Sequence, residues 1–118
     1  MAKCIVDYFN SNLNTTIAAA SGLVPVIAQA YMPYYYFINN ISGYNPGTNT
    51  YTVSLVYVDE LQSQIPINIQ SVATTSAFNN VIQKYFRPDM GVYISVTAAS
   101  YPVSPAVMVD GYLFTLDD

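Results

Sequence analysis

Residues Thr50 to Asp59 read TYTVSLVYVD. In an extended chain Tyr51, Val53, Leu55 and Tyr57 fall on one side, and Thr52, Ser54, Val56 and Val58 on the other. One side is strongly apolar and the other begins polar, which is the pattern of a half-buried sheet strand. The run from Met32 to Ile41 (MPYYYFINNI) precedes it across Ser42 to Asn49, and the two runs predict a hairpin with a longish loop.

Further strands follow the same logic. Ile65 to Gln70 (IPINIQ) sets Ile65, Ile67 and Ile69 against Pro66, Asn68 and Gln70; Pro66 cannot donate a ladder bond, so an edge strand or a strand's first turn is expected. Gly91 to Ala98 opposes Val92, Ile94 and Val96 to Tyr93, Ser95 and Thr97. Ala106 to Leu116 (AVMVDGYLFTL) reads as a last strand, with a bulge or kink at Asp110-Gly111 and Pro102 and Pro105 bracketing the turn before it. Cys4–Phe9 and Thr15–Ala20 read as strands or, over Val6–Leu13, as the start of a helix, and Leu23–Tyr31 alternates without a decisive period.

One segment breaks the alternation. Between Ser76 and Phe86 the apolar residues are Ala77, Phe78, Val81, Ile82, Tyr85 and Phe86, an i, i+1, i+4, i+5 spacing that predicts a short helix. Thr74, Thr75 and Ser76 are capping types and Pro88 ends the run. The fold expected is mainly β: a single β-sandwich or jelly roll over residues 1–118, with six to eight strands and one short helix near 76–86.

Composition narrows the function. Only 8% of the 118 residues are charged, against roughly a quarter in an ordinary domain. A surface built of Tyr, Thr, Ser, Asn and Ala repels copies of itself weakly and tends to pack against neighbours. The three basic residues, Lys3, Lys84 and Arg87, are too few to neutralise a phosphate backbone, which excludes nucleic acid as a partner. Ile17 to Ala30 has the look of an export signal ending at Ala28-Gln29-Ala30. Its polar, uncharged approach and Asp7 argue against cleavage there, and Pro25 and its length argue against a membrane span. Sequons stand at Asn14 and Asn40.

Chemistry is sparse. The chain has no His, so no imidazole base, triad or metal ligand, and no Gly-rich phosphate loop; it is not expected to be an enzyme or to carry a cofactor. Cys4, the one cysteine, reads as a small buried hydrophobe. Asp59 and Asp110 are the only pair worth weighing as glycosidase acids, and both are more simply turn residues. No metal is expected; a calcium ion would have to be held by Asp59, Glu60, Asp89 and Asp110 gathered at one end of the sandwich, without the spacing of a loop motif. The most distinctive feature is the aromatic cluster Tyr31, Tyr34, Tyr35, Tyr36 and Phe37. As a strand it sets Tyr34 and Tyr36 opposite Tyr35 and Phe37, one face for the core and the other for an interface or for stacking sugars.

The order Tyr51–Val58, Ile65–Gln70, the segment around Phe78, Val92–Thr97 and the closing Val107-Met108-Val109-Asp110-Gly111-Tyr112-Leu113 resembles the C-terminal half of jelly-roll carbohydrate-binding modules of the galactose-binding-like type. That resemblance implies a sugar-binding face. The chain departs from it in lacking Trp and in the helical spacing at Ala77–Phe86, where those modules have a strand. In composition the chain is similar to structural proteins of viruses, particularly those of hyperthermophilic archaea, which build capsids, turrets and vertices from jelly rolls. No single residue carries this second likeness. The function expected is a non-enzymatic virion or surface-assembly subunit that contacts copies of itself or other particle proteins. A lectin-like module and an adhesin or pilus subunit donating its N-terminal strand are the alternatives.

Overall fold

The alternation at the centre of the chain becomes a strand, and seven more form around it. The computed structural model describes residues 2–20, 22–27, 34–59 and 61–117. They form β1 (Ala2–Asn14), β2 (Val24–Ile27), β3 (Tyr35–Tyr44), β4 (Tyr51–Val58), β5 (Gln64–Val72), β6 (Ala77–Phe86), β7 (Gly91–Thr97) and β8 (Ala106–Asp117). The strands divide into two antiparallel sheets of four, ordered β1-β8-β3-β6 and β2-β7-β4-β5, an arrangement compatible with a β-sandwich. No helix among the described residues is long and apolar enough to cross a membrane.

The alternating positions named above supply the core. Val53 and Leu55 of β4 and Val92, Ile94 and Val96 of β7 meet Tyr36, Ile38 and Ile41 of β3 and Val107 and Val109 of β8 in one buried cluster. Burying each such side chain stabilises the fold by about 1.5–3 kcal/mol, so the pattern that selects the strands also drives the sheets together.

Four expectations are corrected. The segment at 76–86 is strand β6, not a helix. Phe78, Ile82 and Phe86 turn toward the core while Val81 and Tyr85 stand 69% and 59% exposed on the other side, so the apolar doublets mark a strand with apolar groups on both faces. Its middle is irregular: Lys84 pairs with Ile38 and Val81 with Asn40, leaving Ile82 and Gln83 opposite Asn39, with Gln83 at φ 50°. The hairpin expected from Met32–Ile41 and Thr50–Asp59 does not form, because β3 and β4 belong to different sheets and the chain crosses between them after Tyr44. The clean alternation of Ile65, Ile67 and Ile69 is interrupted where Leu55 pairs with Asn68 but Val56 with Pro66. Asn68 and Gln70 therefore accept hydrogen bonds from the Asn80 side chain of β6 (3.3 and 3.1 Å), and Ile69 is left 67% exposed. Cys4 is exposed, since it pairs with Thr115 where β1 and β8 run past the core. β5 is an edge strand, as Pro66 indicated.

The crossover from β3 to β4 is held by a residue that sequence reasoning passed over. Asn45 is fully buried. Its side-chain amide donates to the carbonyls of Asn49 (2.9 Å) and Val72 (3.0 Å), and its oxygen accepts the N–H of Gly47 (3.0 Å). Its backbone N–H donates to Ser76 and its carbonyl accepts from Thr75. One side chain thus ties the loop, the end of β5 and the turn before β6. Asn45→Ala takes the partner from one buried carbonyl and from two part-buried groups and is expected to cost about 2–3 kcal/mol. Asn45→Asp should cost at least as much, because a carboxylate cannot donate to two carbonyls. Urea unfolding of both variants measures this, and loss of less than half a kcal/mol would contradict it.

Candidate functional site

The β1-β8-β3-β6 sheet places one aromatic residue from each strand in a single cross-strand row. Tyr8 pairs with Tyr112, Tyr112 with Phe37, and Phe37 with Tyr85. Their ring centroids lie 6.0, 5.0 and 4.7 Å apart, close to the spacing between neighbouring strands, so register alone brings the rings together. The next row is Ile5, Phe114 and Tyr35, with Tyr35 stacked on Phe114 at 5.6 Å. Phe114 points outward, yet it is only 4% exposed. It is covered by its neighbours Tyr35, Tyr85 and Tyr112 and stands outside the main core, so this face carries a small apolar cluster of its own.

Lys3 lies over this cluster. Its Nζ donates to the hydroxyls of Tyr112 (2.6 Å) and Tyr85 (3.2 Å) and sits 4.9, 5.2 and 5.7 Å from the ring centres of Tyr112, Tyr85 and Phe114. These contacts combine cation–π attraction with hydrogen bonding. The bond to Tyr112, then that to Tyr85, raises the Lys3 pKa and keeps the ammonium charged, while bonds from Tyr112 and Lys3 lower that of the Tyr85 hydroxyl. Beside the cluster runs a groove of about 710 Å³ bedded by Tyr35, Tyr85, Phe86, Met90, Phe114 and Leu116, with Lys3 and Arg87 at its rim. Toward the other end of the sheet the same face becomes polar: Asn10, Asp110 and Asn40 form one row, and Asn12, Met108, Ser42 and Asn79 another.

The predicted aromatic cluster is split. Tyr35 and Phe37 do stand on the outer face. Tyr36 goes to the core at 1% exposure, stacks on Phe86 at 5.1 Å and donates to the Met90 carbonyl at 2.8 Å, so it is no interface residue. Tyr34 is half-buried just before β3, and Tyr31 lies outside the described residues. The partners that complete the face, Tyr8, Tyr85, Tyr112, Phe114 and Lys3, were overlooked because they are contributed by other strands. Their signal was present in the alternation of Ala106–Leu116, but the helical reading of 76–86 removed Tyr85.

The described carboxylates do not gather. Asp59 accepts the N–H groups of Leu61 (2.9 Å) and Ser63 (3.0 Å) and so builds the β4–β5 turn. Asp89 pairs with Arg87 at 3.3 Å in the β6–β7 turn. Asp110 lies on the outer face of the other sheet, between Asn10 and Asn40, and Glu60 lies outside the described residues. Among the described residues no three His, Cys, Asp or Glu side chains come close enough to hold a metal ion. Asp59 and Asp110 belong to different sheets and do not face each other across a cleft.

No family model matches the chain, and no curated protein does. Solved structures with similar folds include the Drosophila NLP core, studied for pentamer formation and histone binding. It is 12% identical, with a TM-score of 0.50 over 93% of this chain and 100% of that one. PirA is 10% identical, with a TM-score of 0.49 over 89% and 92% of the two chains. A subunit of Bacillus endospore appendages, described as disulfide-linked pili, is 18% identical, with a TM-score of 0.47 over 99% and 93%. The likeness to the first is one of fold.

Proposed function

We propose that the chain is a non-enzymatic jelly-roll subunit of a virion or other surface assembly, with the outer face of the β1-β8-β3-β6 sheet covered by neighbouring molecules. The observation that carries this reading is where the exposed apolar groups fall. Among the described residues ten large hydrophobic side chains are exposed: Ile5, Val6, Tyr8, Tyr44, Val81, Tyr85, Met108 and Leu116 belong to this one sheet, and Leu61 and Ile69 lie elsewhere. Concentration on one face is what distinguishes a docking surface from scattered exposure. The alternate distribution of strands, 1-8-3-6 and 2-7-4-5, supports the jelly-roll reading, an architecture used by capsid and lectin domains alike.

Light scattering coupled to gel filtration tests the reading. The wild-type chain is expected to form concentration-dependent oligomers. Val81→Lys with Met108→Lys, both at exposed positions where substitution costs within about 0.5 kcal/mol of stability, is expected to shift them toward monomer. A wild-type monomer at high concentration would end the proposal.

A sugar-stacking function draws on Tyr8, 71% exposed, and Tyr85, 59% exposed, as the open rings of the row. It is opposed by Phe37 and Tyr112, whose faces are turned toward each other at an interplanar angle of 26°. Glycan binding lost on Tyr8→Ala or Tyr85→Ala would favour it. N-terminal strand donation has less support, since β1 is paired within its own sheet from Ala2–Asp117 to Asn14–Ala106.

A further inference from the structure

The two sheets have four edges, and three carry devices that discourage further pairing. β2 is four residues long and contains Pro25. β5 contains Pro66 and a register shift beside it. β6 is broken at Ile82–Gln83, with Gln83 at positive φ and Lys84 next to it. Proline, bulges and charge are the usual means by which an edge strand is kept from joining another chain.

β1 is different in its second half. It is 13 residues long and pairs only with β8 among the described residues. Lys3, Asp7 and the register shift between Ile5 and Asp7 protect its first half. From Tyr8 to Asn14 (YFNSNLN) there is no charge, no proline, no glycine and no irregularity. Alternate residues of this stretch turn their backbone N–H and C=O away from β8, a regular row of donors and acceptors on the free side that another strand can pair with.

We infer that Tyr8–Asn14 is a homotypic edge, at which two copies of this chain pair antiparallel about a two-fold axis midway between their Ser11 residues. The inference rests on the assembly reading above and adds the surface through which copies join. Full antiparallel overlap of the segment with itself is possible in one register only: Ser11 opposite Ser11, Asn10 opposite Asn12, Phe9 opposite Leu13 and Tyr8 opposite Asn14. In that register the inward side matches inward, with Phe9 and Leu13, both part of the buried cluster or packed on it, meeting across the join. The outward side sets exposed amide against exposed amide at Asn10 and Asn12. The contact is isologous, as a two-fold dimer requires, and it joins two four-stranded sheets into one of eight.

Cross-linking of the full chain tests the register. In a Cys4→Ser background, Ser11→Cys is expected to form a disulfide dimer under mild oxidation, and a mixture of Asn10→Cys and Asn12→Cys chains to form the mixed dimer. Directly opposite residues in antiparallel strands have Cα atoms within disulfide range. Asn10→Lys with Asn12→Lys puts like charges across both outer pairs and should weaken dimerisation roughly tenfold, whereas Asn10→Lys with Asn12→Asp should restore it. Asn10→Cys cross-linking to itself, or charge variants that behave alike, would overturn the register. Oligomers that persist without either cross-link would overturn the edge and leave the face-covering reading standing; a chain that is monomeric throughout would remove both.

Discussion

Gly111→Ala is expected to destabilise the protein severely. Gly111 lies in β8 where β3 is irregular: Ile38 pairs with Gly111 and Asn40 with Asp110, so Asn39 is an extra residue on β3 and the strand presses toward its neighbour. A methyl group added at Gly111 would fall on the Phe37 carbonyl oxygen, with the Phe9 ring at 2.8 Å. Added bulk in a packed site costs about 1–3 kcal/mol when side chains can shift, and more when they cannot. Here the obstacle is the main chain of a central strand, and the expected cost is about 4 kcal/mol. Against a total stability of about 5–15 kcal/mol this removes much of the margin. The melting temperature should fall by about 15 °C, at about 4 °C per kcal/mol. Gly22→Ala, where no described residue lies within 4 Å of the added methyl, is the control and should change little. Equal behaviour of the two variants would refute the close approach.

Tyr36→Ala should be the most costly truncation of an aromatic residue. The ring is 1% exposed, stacks on Phe86 and donates to the Met90 carbonyl. Removing a buried aromatic side chain costs about 3–5 kcal/mol. Tyr36→Phe keeps the ring and loses only the hydrogen bond, for about 1–2 kcal/mol. The same burial makes stability fall in alkali. It raises the hydroxyl pKa of Tyr51 from 10.0 to about 12, and burial followed by the fields of Tyr93 and Asp89 raises that of Tyr36 further. The fold favours the neutral phenols, so their contribution is complete below pH 10, the unfolded value, and is lost as the pH climbs toward the folded values. Melting temperature should hold steady up to about pH 10 and then drop, less steeply in Tyr36→Phe. An unchanged slope in that variant would show that Tyr36 does not titrate with unfolding.

Strands that lie over the core were legible because burial is written into alternate residues. Tyr51, Val53 and Leu55, and Val92, Ile94 and Val96, face inward as their spacing indicates. Where a strand carries apolar groups on both faces the period is lost, and that is why Ala77–Phe86 imitated a helix. Sheet partnership was not legible either. Nothing local to Met32–Ile41 says that its chain will leave for the opposite sheet, since the crossover is held by bonds of Asn45 to residues as distant as Val72 and Ser76. The aromatic face was half legible: Tyr35 and Phe37 announced an outward pair, but Tyr8, Tyr85 and Tyr112 join them only through register, which a single strand cannot reveal.

The row from Tyr8 to Tyr85 holds a single ammonium, and that ammonium is tied to two phenols. Dissolved electrolyte therefore finds almost nothing there to screen. Adhesion through such a surface rests on dewetting and dispersion, which brine does not weaken and which gentle warming strengthens. Particles joined this way would loosen in the cold sooner than in concentrated salt.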